Sequence, residues 1–465
     1  MIRLLHASFP TRTIFLGVTE AGVVLFAFIV ATMARLGTSD TFLMLNYEQG
    51  FRKIIVVAAA FLVCMYYFDL YDFPILSNHR EALTRLIQVF GTVCILLAAL
   101  YYVYPRLELE RGISVIGFLL VSISLLAWRR LFLKVSALPQ FSERVLILGQ
   151  SSLAEALVSE LQSRSELGLR VIGHIEDTVR RADNCNQPPG KEVSPDELFC
   201  SIERYKPDRI IVAMDDRRGK LPVESLLRLK SRGVSIQDGS ELYEAVTGKL
   251  SIGSLRLGWL LFSPGFRVAR ALVMYKRICS IIFSAICLIV TLPLMALIAL
   301  AILIDSGGPA IFLQERIGQD GKVFTLYKFR SMINGADQDG NQRPAEKMDS
   351  RFTRVGRLLR RTRMDELPQL FNILRGDMHF VGPRPFVPSQ EQECLEHIPF
   401  YRQRWVVKPG ATGWAQVNRG YNVTLEDNEE KLSYDLFYIK NISVGLDLLI
   451  LFKTAKILLL GRGSQ

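Results

Sequence analysis

The sequence predicts a membrane protein in which an all-α part is joined to an α/β part. Half of its 465 residues are hydrophobic and only 22% are charged, and the mean hydropathy is +0.24. These values do not fit a disordered chain or an ordinary soluble enzyme. Long apolar runs recur between residues 13 and 128 and again after residue 277. Between these regions strand-like and helix-like patterns alternate, as in proteins built on a parallel sheet.

The charge balance predicts an anionic partner. Lys and Arg number 56 and Asp and Glu number 45, so the net charge is +11; nucleic acid, phosphorylated substrates and anionic lipid are all open. Nucleic acid is disfavoured because the basic residues are not interleaved with an exposed aromatic platform. The seven cysteines include no CxxC pair, so we expect reduced thiols rather than a zinc site or a disulfide framework.

Residues 1–138 are predicted to form four transmembrane helices. A spanning helix needs about 20 apolar residues, and the aromatic residues at the ends of the runs suit the membrane interfaces. A buried helical domain of a soluble protein is the alternative. The four apolar runs are Thr13–Met33, Ile54–Phe68, Leu86–Val103 and Ile113–Trp128.

Charged residues around these runs predict their orientation. Four spans return the chain to the side on which it began, and Arg129, Arg130 and Lys134 follow the fourth run. Under the positive-inside rule this side is the cytoplasm. Glu20 is the acid within the first run, and we expect it to face the other helices or to lie near the interface.

Residues 139–265 are predicted to form a Rossmann-like cytoplasmic domain. Arg144–Gly149 has the pattern of a buried parallel strand, and the turn after it leads into a helix. The dinucleotide-binding fingerprint has three glycines in this turn, but here Ser151 and Ala154 replace the second and third. We therefore expect a structural or regulatory domain rather than an NAD site. Further strands are predicted at Val171–Glu176 and Arg209–Ala213, and helices at Glu155–Gln162, Pro195–Tyr205 and Pro222–Ser231.

The fifth apolar run, Ile278–Ile304, contains Pro293. Its length suits a membrane span. Proline breaks or kinks a helix. The alternative to a span is therefore a helix that bends at Pro293, so that it enters the membrane and returns to the same side. The pattern of the run by itself leaves both arrangements open.

An arginine-rich stretch precedes two adjacent acids. Arg351–Arg363 contains six arginines and no acid, and Asp365 and Glu366 follow. Phosphoryl transfer can use one carboxylate to attack phosphorus while guanidinium groups and a metal neutralise the phosphate oxygens. A solvated basic helix face is the alternative. Helical spacing would align four of the arginines in one stripe: Arg351, Arg354, Arg357 and Arg361.

The segment Gly376–Pro385 adds a stiff frame of glycine and proline around Arg384. Rigid display of one arginine is what bidentate recognition of a phosphate requires. Together with the adjacent acids, this frame predicts a site for a phosphorylated substrate.

Short motifs follow one another through the C-terminal part of the chain: Lys276-Arg277, Gly308-Pro309, Gln314–Gly318, Lys328–Met332, Asp365–Gln369, Gly376–Met378, Val381–Pro385, Lys408–Gln416 and Tyr438–Asn441. In this order they resemble the motifs of the bacterial polyisoprenyl-phosphate hexose-1-phosphate transferases, the monotopic phosphoglycosyl transferases that begin glycan assembly. The four spans and the sheet domain resemble the large members of that family. The chain departs from the usual pattern at Arg363-Met364 and at His379-Phe380.

The resemblance implies a mainly helical catalytic domain at 270–465 and a two-step transfer. Asp365 would attack the sugar-linked phosphate of a UDP-sugar, release UMP and form a phosphosugar–enzyme ester. Polyprenyl (undecaprenyl) phosphate would then take the phosphosugar, which initiates an exopolysaccharide or a related glycan. Glu366 would bind Mg²⁺ or assist proton transfer, with Asp365 as a second ligand of the metal. The residues implied to bind phosphate or substrate are Arg384, Lys328, Arg330, Arg316, Arg363 and Lys408.

The substrate also implies a topology. A UDP-sugar is cytoplasmic, so a re-entrant helix at 276–304, broken at Pro293, would have both ends on the cytoplasmic face of the bacterial inner membrane. The sheet and catalytic domains would lie on that face, and the apolar tail Val444–Leu460 would lie on or near the membrane surface. The resemblance is compatible with a homodimer and does not identify the sugar.

Two other functions are weighed against this one. A membrane-anchored nucleotide-sugar dehydratase or epimerase would need an intact glycine fingerprint and a Tyr-x-x-x-Lys pair after Gly149, and the sheet domain shows neither. A non-enzymatic scaffold of polysaccharide export would use the spans and the sheet domain for assembly.

Overall fold

The computed structural model describes residues 2–4, 7–9, 11–47, 49–71, 79–136, 142–164, 167–175, 205–214, 221–255, 265–266, 269–333, 335, 351–419 and 424–459. These residues form two compact units. One unit is built mainly from Ser8–Gly239 and the other mainly from Ser240–Gln465. Two short strands, β1 (Ile2–Leu4) and β2 (Ala7–Phe9), precede the first helix.

The first unit begins with five helices that share one apolar core. They are α1 (Thr11–Leu36), α2 (Thr38–Tyr47), α3 (Gly50–Tyr67), α4 (His79–Val103) and α5 (Arg111–Ser136). Four of these helices each contribute one phenylalanine to an aromatic cluster, with ring centroids 5.1 to 6.0 Å apart. The four rings are Phe28 of α1, Phe61 of α3, Phe90 of α4 and Phe118 of α5.

Within the described residues, five helices are long and apolar enough to cross a membrane. They are Thr13–Leu36, Gly50–Tyr67, Glu81–Val103, Arg111–Val135 and Arg270–Ser306. Each contains or overlaps one of the five apolar runs. The prediction of a membrane protein with α and α/β parts is confirmed.

A buried ion pair joins α1 to α5. Glu20 is fully buried, and its carboxylate accepts two hydrogen bonds from the Arg129 guanidinium, at 2.5 and 3.1 Å. Glu20 thus faces the other helices, as expected. A carboxylate buried among apolar helices is costly unless it is paired, and Arg129 supplies the pair. Arg130 and Lys134 are the exposed basic residues at this end of α5.

A four-stranded parallel sheet follows, in the order β4-β3-β5-β6. The parallel sheet was predicted, and three of its strands lie where the pattern placed them. Strand β6 was missed, and the predicted helix Pro195–Tyr205 lies outside the described residues apart from Tyr205. The elements are β3 (Glu143–Leu148), α6 (Ser152–Ser163), β4 (Leu169–Ile175), β5 (Arg209–Val212), α7 (Val223–Ser231) and β6 (Ser235–Asp238).

The turn after β3 packs directly on the end of β5. Gly149 has a φ of +123°, and a Cβ at this position would lie 2.6 Å from the Ala213 carbonyl oxygen. The Ser151 hydroxyl donates to the same carbonyl at 2.6 Å and accepts from the Ala154 N–H at 3.1 Å, which caps α6. In sheets of this kind a ligand crevice opens where the strand order reverses, here between β3 and β5. These contacts hold the turn against the end of β5 at that point; the structural or regulatory role expected for this domain stays a prediction.

The second unit contains the resembling motifs. Its β7–β8 pair is an antiparallel hairpin and its β9–β10 pair is parallel. Pro293 lies inside α9. The elements are α8 (Gly239–Thr247), α9 (Arg270–Ser306), β7 (Ile311–Ile317), β8 (Val323–Phe329), α10 (Arg354–Thr362), α11 (Gln369–Arg375), β9 (His379–Val381), α12 (Pro388–His397), β10 (Gly410–Thr412), α13 (Trp414–Asn418), α14 (Leu425–Lys440) and α15 (Val444–Leu459).

Two basic residues near the start of α9 anchor this helix in the second unit. Lys276 is buried and forms an ion pair with Asp447 at 2.9 Å. Arg277 donates to the carbonyls of Ile373 and Leu374 at 2.6 and 2.7 Å. Because these carbonyls end α11, where intrahelical partners run out, Arg277 caps that helix and holds it against α9.

Candidate active site

The two adjacent acids lie in a short 3₁₀ turn between α10 and α11. Helix α10 begins where the Thr353 hydroxyl accepts from the Gly356 N–H at 2.9 Å. It ends at Arg363, whose φ of 58° is left-handed. Such a residue stops a helix and redirects the chain, and for a non-glycine residue it stores strain. The turn that follows leaves Asp365 only 7% exposed.

The environments of the two carboxylates differ. A Glu366 oxygen lies 3.6 Å from an Arg384 guanidinium nitrogen and 3.8 Å from an Arg363 nitrogen. Burial would raise the pKa of Glu366, but the neighbouring cations, Arg384 foremost, hold it below its usual value. Burial and then the charge of Glu366 raise the pKa of Asp365. The two adjacent carboxylates are thus shifted in opposite directions, Glu366 by its cation partners and Asp365 by burial and by the charge of Glu366.

Lys328 reaches this site from strand β8. The Asn372 side chain fixes the strand against α11, because its NH₂ donates to the Thr325 carbonyl at 2.7 Å and its oxygen accepts from the Tyr327 N–H at 3.0 Å. Burial, with help from the charges of nearby arginines, lowers the pKa of Lys328 to about 8, although the negative charge of Glu366 opposes this shift. A lysine with this pKa changes its charge close to physiological pH.

Arg384 lies in a loop whose backbone approaches its neighbours closely. The Gly382 N–H donates to the Thr412 carbonyl at 2.9 Å, and a Cβ on Gly382 would lie 2.5 Å from the Lys408 carbonyl oxygen. Only glycine fits there. The stiff frame expected around Arg384 is therefore present, and the Arg384 side chain extends from it to Glu366.

Three predicted phosphate-binding residues bind carbonyls of the protein itself, so each has a structural role in this unit. Their role in phosphate binding remains a prediction. The contacts are from buried Arg330 to the Gly307 carbonyl and to the Ser306 hydroxyl (2.7 Å), from Lys408 to the Gly376 carbonyl (2.6 Å) and from Arg316 to the Pro385 carbonyl (2.9 Å).

Sequence analysis missed Arg360. Its guanidinium lies 4.5 Å above the Phe352 ring and donates to the Ser331 hydroxyl at 3.2 Å. Its positive charge counters the raised pKa of Asp365. Arg360 therefore belongs, with Lys328, Arg363 and Arg384, to the cation cluster at the acids. Helical spacing was the available signal, since Arg360 follows the buried Gly356 by one turn. The arginines of the predicted stripe that lie in α10 are exposed: Arg354, Arg357 and Arg361.

These residues fall within 271–461, where the chain matches a family model described as bacterial sugar transferase. The undecaprenyl-phosphate glucose phosphotransferase of Komagataeibacter xylinus is 30% identical over 423 residues, which cover 86% of this chain and 76% of that protein. The chain belongs to the bacterial sugar transferase family. The resemblance drawn from the motifs is confirmed.

Other members of this sugar transferase family match over shorter ranges. The UDP-N-acetylgalactosamine-undecaprenyl-phosphate N-acetylgalactosaminephosphotransferase of Aeromonas hydrophila is 42% identical over 228 residues, 48% of this chain. The chain thus spans about half of that relative's length, 52%. The undecaprenyl-phosphate galactose phosphotransferase of Salmonella typhimurium is 31% identical over 344 residues, 70% of each chain.

Proposed function

We propose that this member of the bacterial sugar transferase family transfers a sugar-1-phosphate from a UDP-sugar to undecaprenyl phosphate and releases UMP, which begins a glycan. The observation that carries the proposal is Asp365, a buried carboxylate among cations beside the Glu366–Arg384 ion pair. The relatives support it, because their names specify undecaprenyl phosphate as acceptor and several specify a UDP-sugar as donor.

The transfer proceeds in two displacements at one phosphorus. A carboxylate oxygen of Asp365 attacks the phosphorus that bears the sugar, the bond to the UMP oxygen breaks, and UMP leaves with the electron pair. An oxygen of undecaprenyl phosphate then attacks the same phosphorus and the Asp365 carboxylate leaves. Lys328 and Arg384 neutralise the phosphate oxygens in both steps.

Mg²⁺ fits the donors at this site. Among the described residues no group of three or more Asp, Glu, His or Cys side chains could hold a metal ion. Mg²⁺, however, is usually bound by one or two carboxylates with substrate phosphates and water. We propose that Asp365 and Glu366 are these carboxylates and that the bound ion would screen the diphosphate charge.

UMP release tests the function directly. Purified protein is given polyprenyl phosphate, Mg²⁺ and one of three donors: UDP-glucose, UDP-galactose or UDP-N-acetylgalactosamine. We expect release with at least one donor, loss of release in EDTA and recovery with added Mg²⁺. Folded protein that releases no UMP from any donor would contradict the proposal.

The alkaline limb of the pH profile should report Lys328. With a pKa of about 8, Lys328 is cationic below that pH and loses its attraction for phosphate as the pH rises through it. We expect kcat/KM for UMP release, which reports the free enzyme, to fall above about pH 8. Lys328→Arg should lower the maximum but remove this limb, since arginine stays charged. Lys322→Arg, at an exposed lysine of the same hairpin, is the control and should keep it. If Lys328→Arg keeps the alkaline limb unchanged, that limb reports the titration of a group other than Lys328.

We further propose a multi-pass arrangement in a bacterial inner membrane, with the sheet and the catalytic residues on the cytoplasmic side. The common core of α1, α3, α4 and α5 supports a transmembrane bundle. In α15 the exposed side chains are apolar, which supports a helix at the membrane surface; they include Leu448, Leu451, Phe452, Leu458 and Leu459.

Helix α9 is proposed to be re-entrant. Near its start Arg277 binds two carbonyls at the end of α11, and near its end the Asp305 carboxylate accepts from the Val355 N–H of α10 at 3.0 Å. From Arg277 to Asp305 a straight helix would be about 42 Å long. This exceeds the hydrocarbon core of about 30 Å, so a straight helix would place its two ends on opposite sides of the membrane. Contact of both ends with one compact unit supports a helix bent at Pro293 that returns to the same side.

Cysteine labelling in intact cells tests this arrangement. Single cysteines replace Arg270 before the apolar run and Leu313 after it, both exposed, in a chain without its native cysteines. We expect an impermeant maleimide to label neither position until the cells are lysed. Arg106→Cys, between α4 and α5, is the matched control and should be labelled from outside. Outside labelling of only one end of α9 would show a span.

A further inference from the structure

The loop that carries Arg384 is held by its carbonyl groups. The Gly382 N–H donates to the Thr412 carbonyl, but the prolines at 383 and 385 lack an N–H, so the carbonyls supply most of the hydrogen bonds around Arg384. Four consecutive carbonyls each accept from a donor outside the loop. The pairs are Pro383 with the Gly410 N–H (2.9 Å), Arg384 with the Arg404 guanidinium (2.9 Å), Pro385 with the Arg316 guanidinium (2.9 Å) and Phe386 with the Ile317 N–H (3.1 Å).

The donor to the Arg384 carbonyl belongs to a buried ionic cluster. Arg404 is 5% exposed, and the nitrogen that binds the Arg384 carbonyl also binds Asp435, 2% exposed, at 3.0 Å. A second nitrogen of Arg404 lies 3.7 Å from Glu391, and the guanidinium stacks 4.3 Å above the Phe386 ring. Arg404 is therefore fixed from several sides.

A buried ionic cluster is a poor source of stability, because the cost of removing charges from water offsets their attraction. Well-packed apolar residues would stabilise the same place equally well. An apolar side chain, however, cannot donate a hydrogen bond to the Arg384 carbonyl. The cluster therefore holds the Arg404 guanidinium as a donor to the carbonyl of Arg384, whose side chain reaches Glu366.

We propose that Arg404 and Asp435 are positioning residues for the transfer: Asp435 orients Arg404, and Arg404 fixes the backbone from which Arg384 binds a substrate phosphate. This inference rests on the proposed function. It adds two residues, from the segment before β10 and from α14, that contact neither the acids nor the phosphate.

Asp435→Asn is the variant of choice. Removing Arg404 would leave two buried carboxylates without their cation and would strongly destabilise the unit, whereas asparagine keeps the shape of Asp435 and weakens its hold on Arg404. Asp427→Asn is the matched control. Asp427 lies in the same helix, is 7% exposed, and pairs with Arg419 at 3.0 Å rather than with Arg404.

Hydrogen exchange tests the positioning without using activity. We expect the amides of Gly382, Arg384 and Phe386 to exchange faster in full-length Asp435→Asn than in the parent, and at the parental rate in Asp427→Asn. Unchanged exchange in Asp435→Asn would overturn the inference. Hydrogen exchange tests the positioning of the Arg384 loop even if the protein turns over no UDP-sugar. Absence of turnover would overturn the proposed function but not this positioning.

A double-mutant cycle tests the route through Arg384. We expect Asp435→Asn to lower kcat/KM for UMP release about tenfold in the parent and less than about twofold in an Arg384→Ala background. Asp427→Asn should change it less than about twofold in both. Equal losses from Asp435→Asn in both backgrounds, or equal losses from the two aspartate variants, would show a structural effect and contradict the positioning role.

Discussion

Asp365→Asn should reduce UMP release by about 10⁴-fold or more, since removal of a covalent nucleophile leaves only binding and electrostatic contributions. The amide has the shape of the carboxylate but is neutral and a poor nucleophile. Asp365 is buried among cations in a turn between α10 and α11. Because asparagine has the same shape and the two helices hold the turn, the substitution should preserve the fold. UMP release and a label-transfer experiment measure the effect. With the sugar-linked phosphate of the donor labelled and no lipid acceptor, the parent should become labelled and the variant should not.

Asp320→Asn is the matched control for this substitution. Asp320 is an exposed acid in the hairpin turn, and asparagine tolerates its φ of 56°. We expect parental UMP release and parental labelling. If Asp365→Asn still becomes labelled and releases UMP within tenfold of the parent, Asp365 is not the nucleophile, and Glu366→Gln becomes the next variant to label.

Periodicity and apolar length predicted most of the elements. Helix α9 contains the fifth apolar run. Strands β3, β4 and β5 lie at the segments predicted after residue 142, because a buried parallel strand has the sequence pattern of a short apolar run. The hairpin β7–β8, which carries Lys328, was not predicted. Its signal was the turn Gly318–Gly321 between two extended segments, with an Asp-Gly pair typical of hairpins. Strand β6 was missed since its four residues include a serine, a glutamine and an aspartate.

The acids of the site were predictable because they are adjacent in the chain, so no folding is needed to bring them together. The partners of the basic residues were not. Arg330, Lys408 and Arg316 bind main-chain carbonyls, and every residue has a carbonyl, so a sequence carries no sign of which one a guanidinium will reach. For Arg404 the same limit applies, because both its carbonyl partner and Asp435 are remote in sequence.

Arg384→Ala should lower kcat/KM for UMP release by about 10²- to 10³-fold, the usual cost of removing one preorganised donor to developing charge. The loss has two parts. The phosphate loses a bidentate partner, and Glu366 loses the cation that does most to lower its pKa. The pKa of Glu366 should then rise, and the contribution of Glu366 to the acid limb of the pH profile, beside that of Asp365, should move to higher pH. Steady-state kinetics across pH measure both effects.

Arg384→Lys separates charge from shape. Lysine keeps a positive charge near Glu366 but cannot present two parallel N–H donors, so we expect it to restore the acid limb while recovering only part of kcat/KM. Arg375→Ala is the control: Arg375 is exposed at the end of α11 and 3.9 Å from Asp377, outside the cation cluster at the acids, and its loss should change kcat/KM less than about threefold. If Arg384→Ala costs no more than Arg375→Ala, the loop displays Arg384 for a purpose other than phosphate binding. If lysine recovers the whole rate, charge alone suffices and the rigid fork is unnecessary.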